Sequence, residues 1–313
     1  MSPRQTFQID GVVPIIPSPF HSDESIDFAG FAPLIDFAVA AGCSAICLPA
    51  YASEYYKLSD DERIEVVRQA VVVARGRIPV IGQANHPASR LVCKAARALE
   101  AAGVNAIAVA VPRLFSLSER DIFRYFDTIL SVIQIPLLIQ DFNPGGPTVS
   151  PQFVSDLHRL HPHFRYLKLE EPLMAAKVKA ILDATGGEVG VLEGWGGMYI
   201  LELIEAGICG AMPGLAISDL LVRIYQLAVA GRKHAAYEIF VDVLPQIVFS
   251  LQNMEFFHHA EKRLLAMRGI FGETTVRDLM KTPHEIDSAQ LEFLNQRILA
   301  LLDRLKMPHN PQS

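Results

Sequence analysis

The sequence predicts an α/β protein, a (β/α)8 TIM barrel with a helical C-terminal extension. Eight short apolar runs alternate with amphipathic segments, the pattern of repeated strand–helix units around a parallel sheet. The runs begin near Val12, Ala45, Pro79, Ala106, Pro136, Tyr166, Gly190 and Cys209. Their spacings of roughly 19 to 34 residues leave room for one helix each and little more. A chain of 313 residues, half of them hydrophobic, can bury a core of that size.

The helices carry legible starts and stops. Residues 28–41 are apolar at helical spacing and end at Gly42, a C′ glycine. Ser59 and Glu62 have capping-box spacing, with Asp60 and Asp61 suiting a helix N-terminus, so a helix runs from there to about residue 74. Residues 88–102 end at Gly103, Ser118 opens another helix, and Ser150 precedes a proline at the first helical position. Residues 198–206 stop at Gly207. Beyond the eighth strand, residues 220–230, 235–251, 255–270 and 288–305 read as four helices, more than barrel closure needs. The expected division is a barrel over 1–231, a helical extension packed on it over 232–308, and a flexible tail over 309–313.

Charge and composition narrow the partners. The net charge of −6, with no Lys/Arg-rich run, argues against nucleic acid or an anionic membrane and favours a small molecule. No apolar core of a signal peptide follows Met1, and no stretch reaches the roughly eighteen apolar residues of a membrane span. Cys43, Cys47, Cys93 and Cys209 sit in apolar segments without a C-x-x-C pair, which predicts buried free thiols and fits a reducing cytoplasm.

In a barrel the reacting groups gather at the C-terminal ends of the strands. Strand 6 carries the sharpest signal there. In Tyr166-Leu167-Lys168-Leu169-Glu170 the side chains alternate, so Lys168 and Glu170 share one face and Leu167 and Leu169 the other. An unpaired lysine inside a barrel is costly. The pair is therefore either a structural ion pair or a lysine nucleophile with a carboxylate that moves its protons. After strand 2, Tyr51, Ala52 and Ser53 form a turn whose amides and hydroxyl could hold a carboxylate, or an ordinary polar loop. His86 follows strand 3 beside Gln83 and Asn85, where an exposed loop histidine is the common outcome. Gln140 ends strand 5 on the face of Leu138 and is a candidate for orienting a hydroxyl. Gly194, in Gly194-Trp195-Gly196-Gly197, and Gly214 follow strands 7 and 8, where backbone amides often bind phosphate or approach a ligand closely. No metal-ligand spacing and no dinucleotide motif is present, so neither metal nor cofactor is expected.

These residues resemble the dihydrodipicolinate synthase / N-acetylneuraminate lyase family over about residues 9–305. The likeness rests on Gly11-Val12-Val13-Pro14, on Glu54 and the Leu58 to Arg63 segment, on Gly76 to Ile81, on Ile135-Pro136-Leu137-Leu138 and on Lys168. It implies a (β/α)8 enzyme in which Lys168 forms a Schiff base with a 2-oxo acid, in a homodimer or homotetramer. Departures are informative. The family's Gly-Thr-Thr-Gly-Glu loop is Ala50-Tyr51-Ala52-Ser53-Glu54 here, its strand-5 tyrosine aligns with Gln140, its Pro-Tyr-Tyr is Pro112-Arg113-Leu114, and its carboxylate-holding arginine falls in Pro144-Gly145-Gly146-Pro147. Ser53-Glu54, Gln140-Asp141, Lys168-Leu169-Glu170, Gly210-Ala211-Met212 and His86 are instead similar to the L-2-keto-3-deoxyarabonate dehydratase branch. That likeness implies dehydration of a 2-keto-3-deoxy sugar acid, with Glu170 as base. Pyruvate-dependent aldol cleavage, dihydrodipicolinate synthase-like condensation, a catalytically silent metabolite-binding barrel and a phosphate-binding barrel enzyme remain the alternatives.

Overall fold

The computed structural model describes residues 7–143, 146–280 and 282–312. Among them are eight strands, β1 (Gly11–Val12), β2 (Ile46–Leu48), β3 (Val80–Gln83), β4 (Ala106–Ala110), β5 (Leu137–Phe142), β6 (Phe164–Glu170), β7 (Gly190–Glu193) and β8 (Gly210–Ala211). Helices α1 (Phe31–Ala40), α2 (Asp60–Ala74), α3 (Ser89–Ala102), α4 (Glu119–Leu130), α5 (Pro151–Leu160), α6 (Ala175–Thr185), α7 (Ile200–Ala206) and α8 (Ser218–Val229) follow them in turn. The strands are all parallel, in the order β1-β8-β7-β6-β5-β4-β3-β2. A parallel bridge between Ile15 and Cys47, with Ile16 N donating to the Cys47 carbonyl over 3.0 Å, joins the β1 and β2 edges. The predicted (β/α)8 barrel with its helical extension is the observed fold.

Local signals act as their chemistry demands. Ser59 N donates to Glu62 Oε2 at 2.8 Å and Glu62 N to Ser59 Oγ at 3.2 Å, the reciprocal cap at the start of α2. Ser118 and Ser150 cap α4 and α5 through their hydroxyls. Strand alternation then sorts side chains into two compartments. Ile15, Cys47, Ile81, Ala108, Leu138, Tyr166, Leu192 and Met212 pack in the barrel interior. Leu167 and Leu169 face the helices.

Helices α9 (Lys233–Ser250), α10 (Met254–Met267) and α11 (Glu285–Leu305) form the extension. A buried ion network fastens α10 to the loop after β2. Glu54 Oε1 lies 2.7 Å from Lys262 Nζ, Glu54 Oε2 lies 3.1 Å from Lys57 Nζ, and Lys57 reaches Glu255 at 2.6 Å. The connection between α9 and α10 thereby lies over the C-terminal mouth of the barrel. Residues 309–312, expected as part of a flexible tail, make hydrogen bonds to the body of the chain. The buried Arg268, paired with Asp219, donates Nε to the His309 carbonyl at 2.8 Å, and Gln312 donates to the Pro33 carbonyl at 2.6 Å. A buried guanidinium needs acceptors for all its donors, and the tail supplies one. Ser313 lies outside the described residues, as do Pro144 and Gly145 in the loop after β5.

Candidate active site

Strand β6 presents Tyr166, Lys168 and Glu170 to the interior. Tyr166 closes the far end, where its hydroxyl accepts from Ile9 N at 3.0 Å. Lys168 and Glu170 stand at the mouth, and Lys168 Nζ is 2.9 Å from Glu170 Oε1 with both side chains more than nine-tenths buried. Gln140 Nε2 donates to the same carboxylate oxygen over 3.1 Å. These groups face a cavity of about 370 Å³ that Tyr51, Ala52, Gly194 and Gly214 also line. The backbone at Gly194 comes so close to the carboxylate that a Cβ there would lie 2.3 Å from Glu170 Cγ. A Cβ at Gly214 would lie 2.4 Å from Glu261 Oε2. Burial, with the neighbouring Tyr55 and then the charge of Glu170 adding to it, holds the Tyr51 phenol above its ordinary range, so it remains a protonated hydroxyl.

Two residues expected at the site lie elsewhere. Ser53 ends a short turn of 3₁₀ helix that shows Tyr51 and Ala52 to the cavity and turns Ser53 into the wall. Its hydroxyl donates to the Ile16 carbonyl at 2.5 Å and accepts from Ala50 N at 3.1 Å, so it is not available to a substrate carboxylate. His86 Nδ1 accepts from Ala88 N at 2.9 Å ahead of α3, and the residue lines a separate cavity of about 120 Å³. Glu54 is held by Lys262 and Lys57.

The glycine loops after β7 and β8 also differ from a phosphate cradle. Glu193 is fully buried, and its carboxylate accepts from Trp195 N at 2.9 Å and Gly197 N at 2.7 Å. Glu261, on α10, accepts from Ala216 N. The chain's own carboxylates thus occupy these amides. Burial pushes each of these two acids up to about 7, against the pull of the amides.

Other parts of the site were not visible in single motifs. Trp195 packs edge-on against Phe142, ring centroids 5.6 Å apart, and both line the cavity. Leu251, Gln252, Asn253, Met254 and Phe257 form its roof, brought there by the α10 ion network rather than by any local signal. Asp141, next to Gln140, points the other way and is chelated by Arg113 at 2.8 to 3.0 Å. Among the described residues no group of three or more His, Cys, Asp or Glu side chains could hold a metal ion, and no helix is long and apolar enough to cross a membrane.

A buried lysine and carboxylate lie side by side at the C-terminal end of the sixth strand, the end of a barrel at which reacting groups gather. The chain belongs to the dihydrodipicolinate synthetase family, whose model matches residues 8–293, and is a lyase of that family. It is 28% identical over 310 residues to the L-2-keto-3-deoxyarabonate dehydratase of Azospirillum brasilense, covering 97% of this chain and 99% of that one. It is 32% identical over 142 residues to the 4-hydroxy-tetrahydrodipicolinate synthase of Azoarcus sp. (strain BH72), covering 45% of this chain and 48% of that one. Among solved structures, the dihydrodipicolinate synthase of Rhodopseudomonas palustris superposes with a TM-score of 0.87 at 24% identity, covering 95% of this chain and 100% of that one.

Proposed function

We propose that this chain is a Schiff-base-forming dehydratase of a 2-keto-3-deoxy sugar acid. The observation that carries the reading is the contact of 2.9 Å between Lys168 Nζ and Glu170 Oε1 inside the cavity. The amine of Lys168 attacks the C2 carbonyl, and the carbonyl oxygen leaves as water, giving an iminium with Glu170 still ionised. The iminium acidifies C3. Glu170 takes a C3 proton, the enamine expels the C4 hydroxyl, and protonation of that hydroxyl lets it depart as water. Hydrolysis of the unsaturated iminium returns Lys168 and releases an unsaturated 2-oxo acid. Gln140 orients the carboxylate, and Tyr51 can hydrogen-bond a substrate hydroxyl.

The nearly full-length match to a dehydratase supports this choice. The partial matches to 4-hydroxy-tetrahydrodipicolinate synthases favour, as a second reading, condensation from the same lysine. Retro-aldol cleavage requires a base at the C4 hydroxyl instead of C3. A panel of 2-keto-3-deoxy sugar acids, assayed for loss of water and for pyruvate release, tests the reading. Turnover to an unsaturated 2-oxo acid without pyruvate is expected. Pyruvate as the sole 2-oxo acid product overturns dehydration in favour of cleavage.

A further inference from the structure

A line of side chains behind Glu170 has a single permitted direction. Gln83 Nε2 donates to Gln140 Oε1 at 2.9 Å, Gln140 Nε2 donates to Glu170 Oε1 at 3.1 Å, and Cys47 Sγ lies 3.9 Å from Gln83 Oε1. An ionised carboxylate only accepts, so Gln140 must show it the amide nitrogen and show Gln83 the oxygen. Gln83 must then donate, which leaves its own oxygen for the Cys47 thiol. The span crosses an intervening strand. Gln83 is in register with Ala108 of β4, and Ala110 of β4 with Gln140 of β5. Ala106 and Ala108 are small interior residues, so Gln83 reaches over β4 to Gln140. Gln83 does not line the large cavity; it lines the smaller one behind it.

We propose that Gln83 is a positioning residue for the reaction: it locks the Gln140 amide with its N–H toward Glu170 and so keeps the second carboxylate oxygen aimed at the substrate. The proposal rests on the reading of Lys168 as nucleophile and Glu170 as base. A neutral amide carries no proton here, so the contribution is orientation. Without the lock the Gln140 oxygen loses its donor, and the amide is free to swing away from Glu170.

Two variants separate this role from space filling. Gln83→Met removes the donor at similar volume. Gln83→Glu is isosteric and, when ionised, accepts only, which demands the Gln140 nitrogen and turns the Gln140 oxygen on Glu170. The readouts are borohydride trapping of pyruvate on Lys168 and exchange of pyruvate methyl protons with D2O followed by NMR. In the exchange Glu170 removes a methyl proton from the iminium, equilibrates with solvent, and returns a deuteron to the enamine. Both variants are expected to trap pyruvate with half-saturation within about twofold of the parent, while maximal exchange falls about 10- to 100-fold, further in Gln83→Glu than in Gln83→Met. Full exchange in both variants with trapping intact overturns the proposal and leaves Gln83 as filler. Loss of trapping in both also overturns it, since Gln83 would then support Lys168 or the fold. A parent protein that neither traps nor exchanges pyruvate removes the underlying reading, and the proposal with it.

Discussion

Gln140 Nε2 and Lys168 Nζ converge on one oxygen of Glu170, at 3.1 and 2.9 Å, and among the described residues no hydrogen bond reaches the other oxygen. In the proposed reaction the remaining oxygen takes the C3 proton. Replacing Glu170 by glutamine keeps the shape and removes the base. Glu170→Gln is expected to retain borohydride trapping on Lys168 and to lose about 10²- to 10⁴-fold in turnover. Full turnover in that variant would mean that another group abstracts the C3 proton.

Lys262 and Glu54 are each 1% exposed and 2.7 Å apart, and they hold the roof of the cavity to the loop after β2. Removing Lys262 leaves the buried Glu54 carboxylate to the Lys57 ammonium at 3.1 Å, with half of its counter-charge gone. Lys262→Met is expected to destabilise the fold by about 3–5 kcal/mol, and adding Glu54→Leu to restore much of that. Urea unfolding of the single and double variants measures the coupling. Additive effects would show that the pair does not act as a unit.

Burial raises the Glu261 carboxyl from 4.5 to about 7, opposed by the Ala216 and Leu215 amides and by Arg268. Between those two values the folded chain holds a proton that the unfolded chain has released, so this contribution to stability is complete below 4.5 and is lost as pH rises through 7. His258, held down to about 4 by burial, acts in the opposite sense from 4 to 6.5. The informative quantity is therefore a difference. The stability of Glu261→Gln relative to the parent is expected to rise from about pH 5 to about pH 8. A difference independent of pH would contradict the assignment.

Trp195 is the sole tryptophan, and its indole lines the cavity beside Phe142. Its fluorescence is expected to change on saturation with pyruvate or a 2-keto-3-deoxy acid. A Lys168→Ala control should shift the response to higher ligand concentration. An unchanged spectrum under conditions that trap the lysine would place the substrate away from this wall.

Much of the barrel was legible because its signals are local. The alternation in strand 6 put Lys168 and Glu170 on one face, and the Ser59–Glu62 spacing located the start of α2. Side-chain direction within a turn is not local in that sense. Ser53 was expected in the site from its place after strand 2, yet the rotation of its 3₁₀ turn gives the hydroxyl to Ile16. His86 was expected there for the same reason and instead receives an amide bond ahead of α3. The amides of the glycine loops were taken up by Glu193 and Glu261, the latter from a helix far along the chain. The roof over the cavity depends on the pairing of Glu54 with Lys262, 208 positions apart, and no periodicity reports such a contact.

The central claim is that Lys168 is the covalent nucleophile. Incubation with pyruvate or a 2-keto-3-deoxy sugar acid, reduction with borohydride and peptide mass spectrometry test it directly. A reduced adduct on Lys168 is expected, absent in Lys168→Ala. No adduct on Lys168 with any 2-oxo acid, or an adduct on a different lysine, would contradict it.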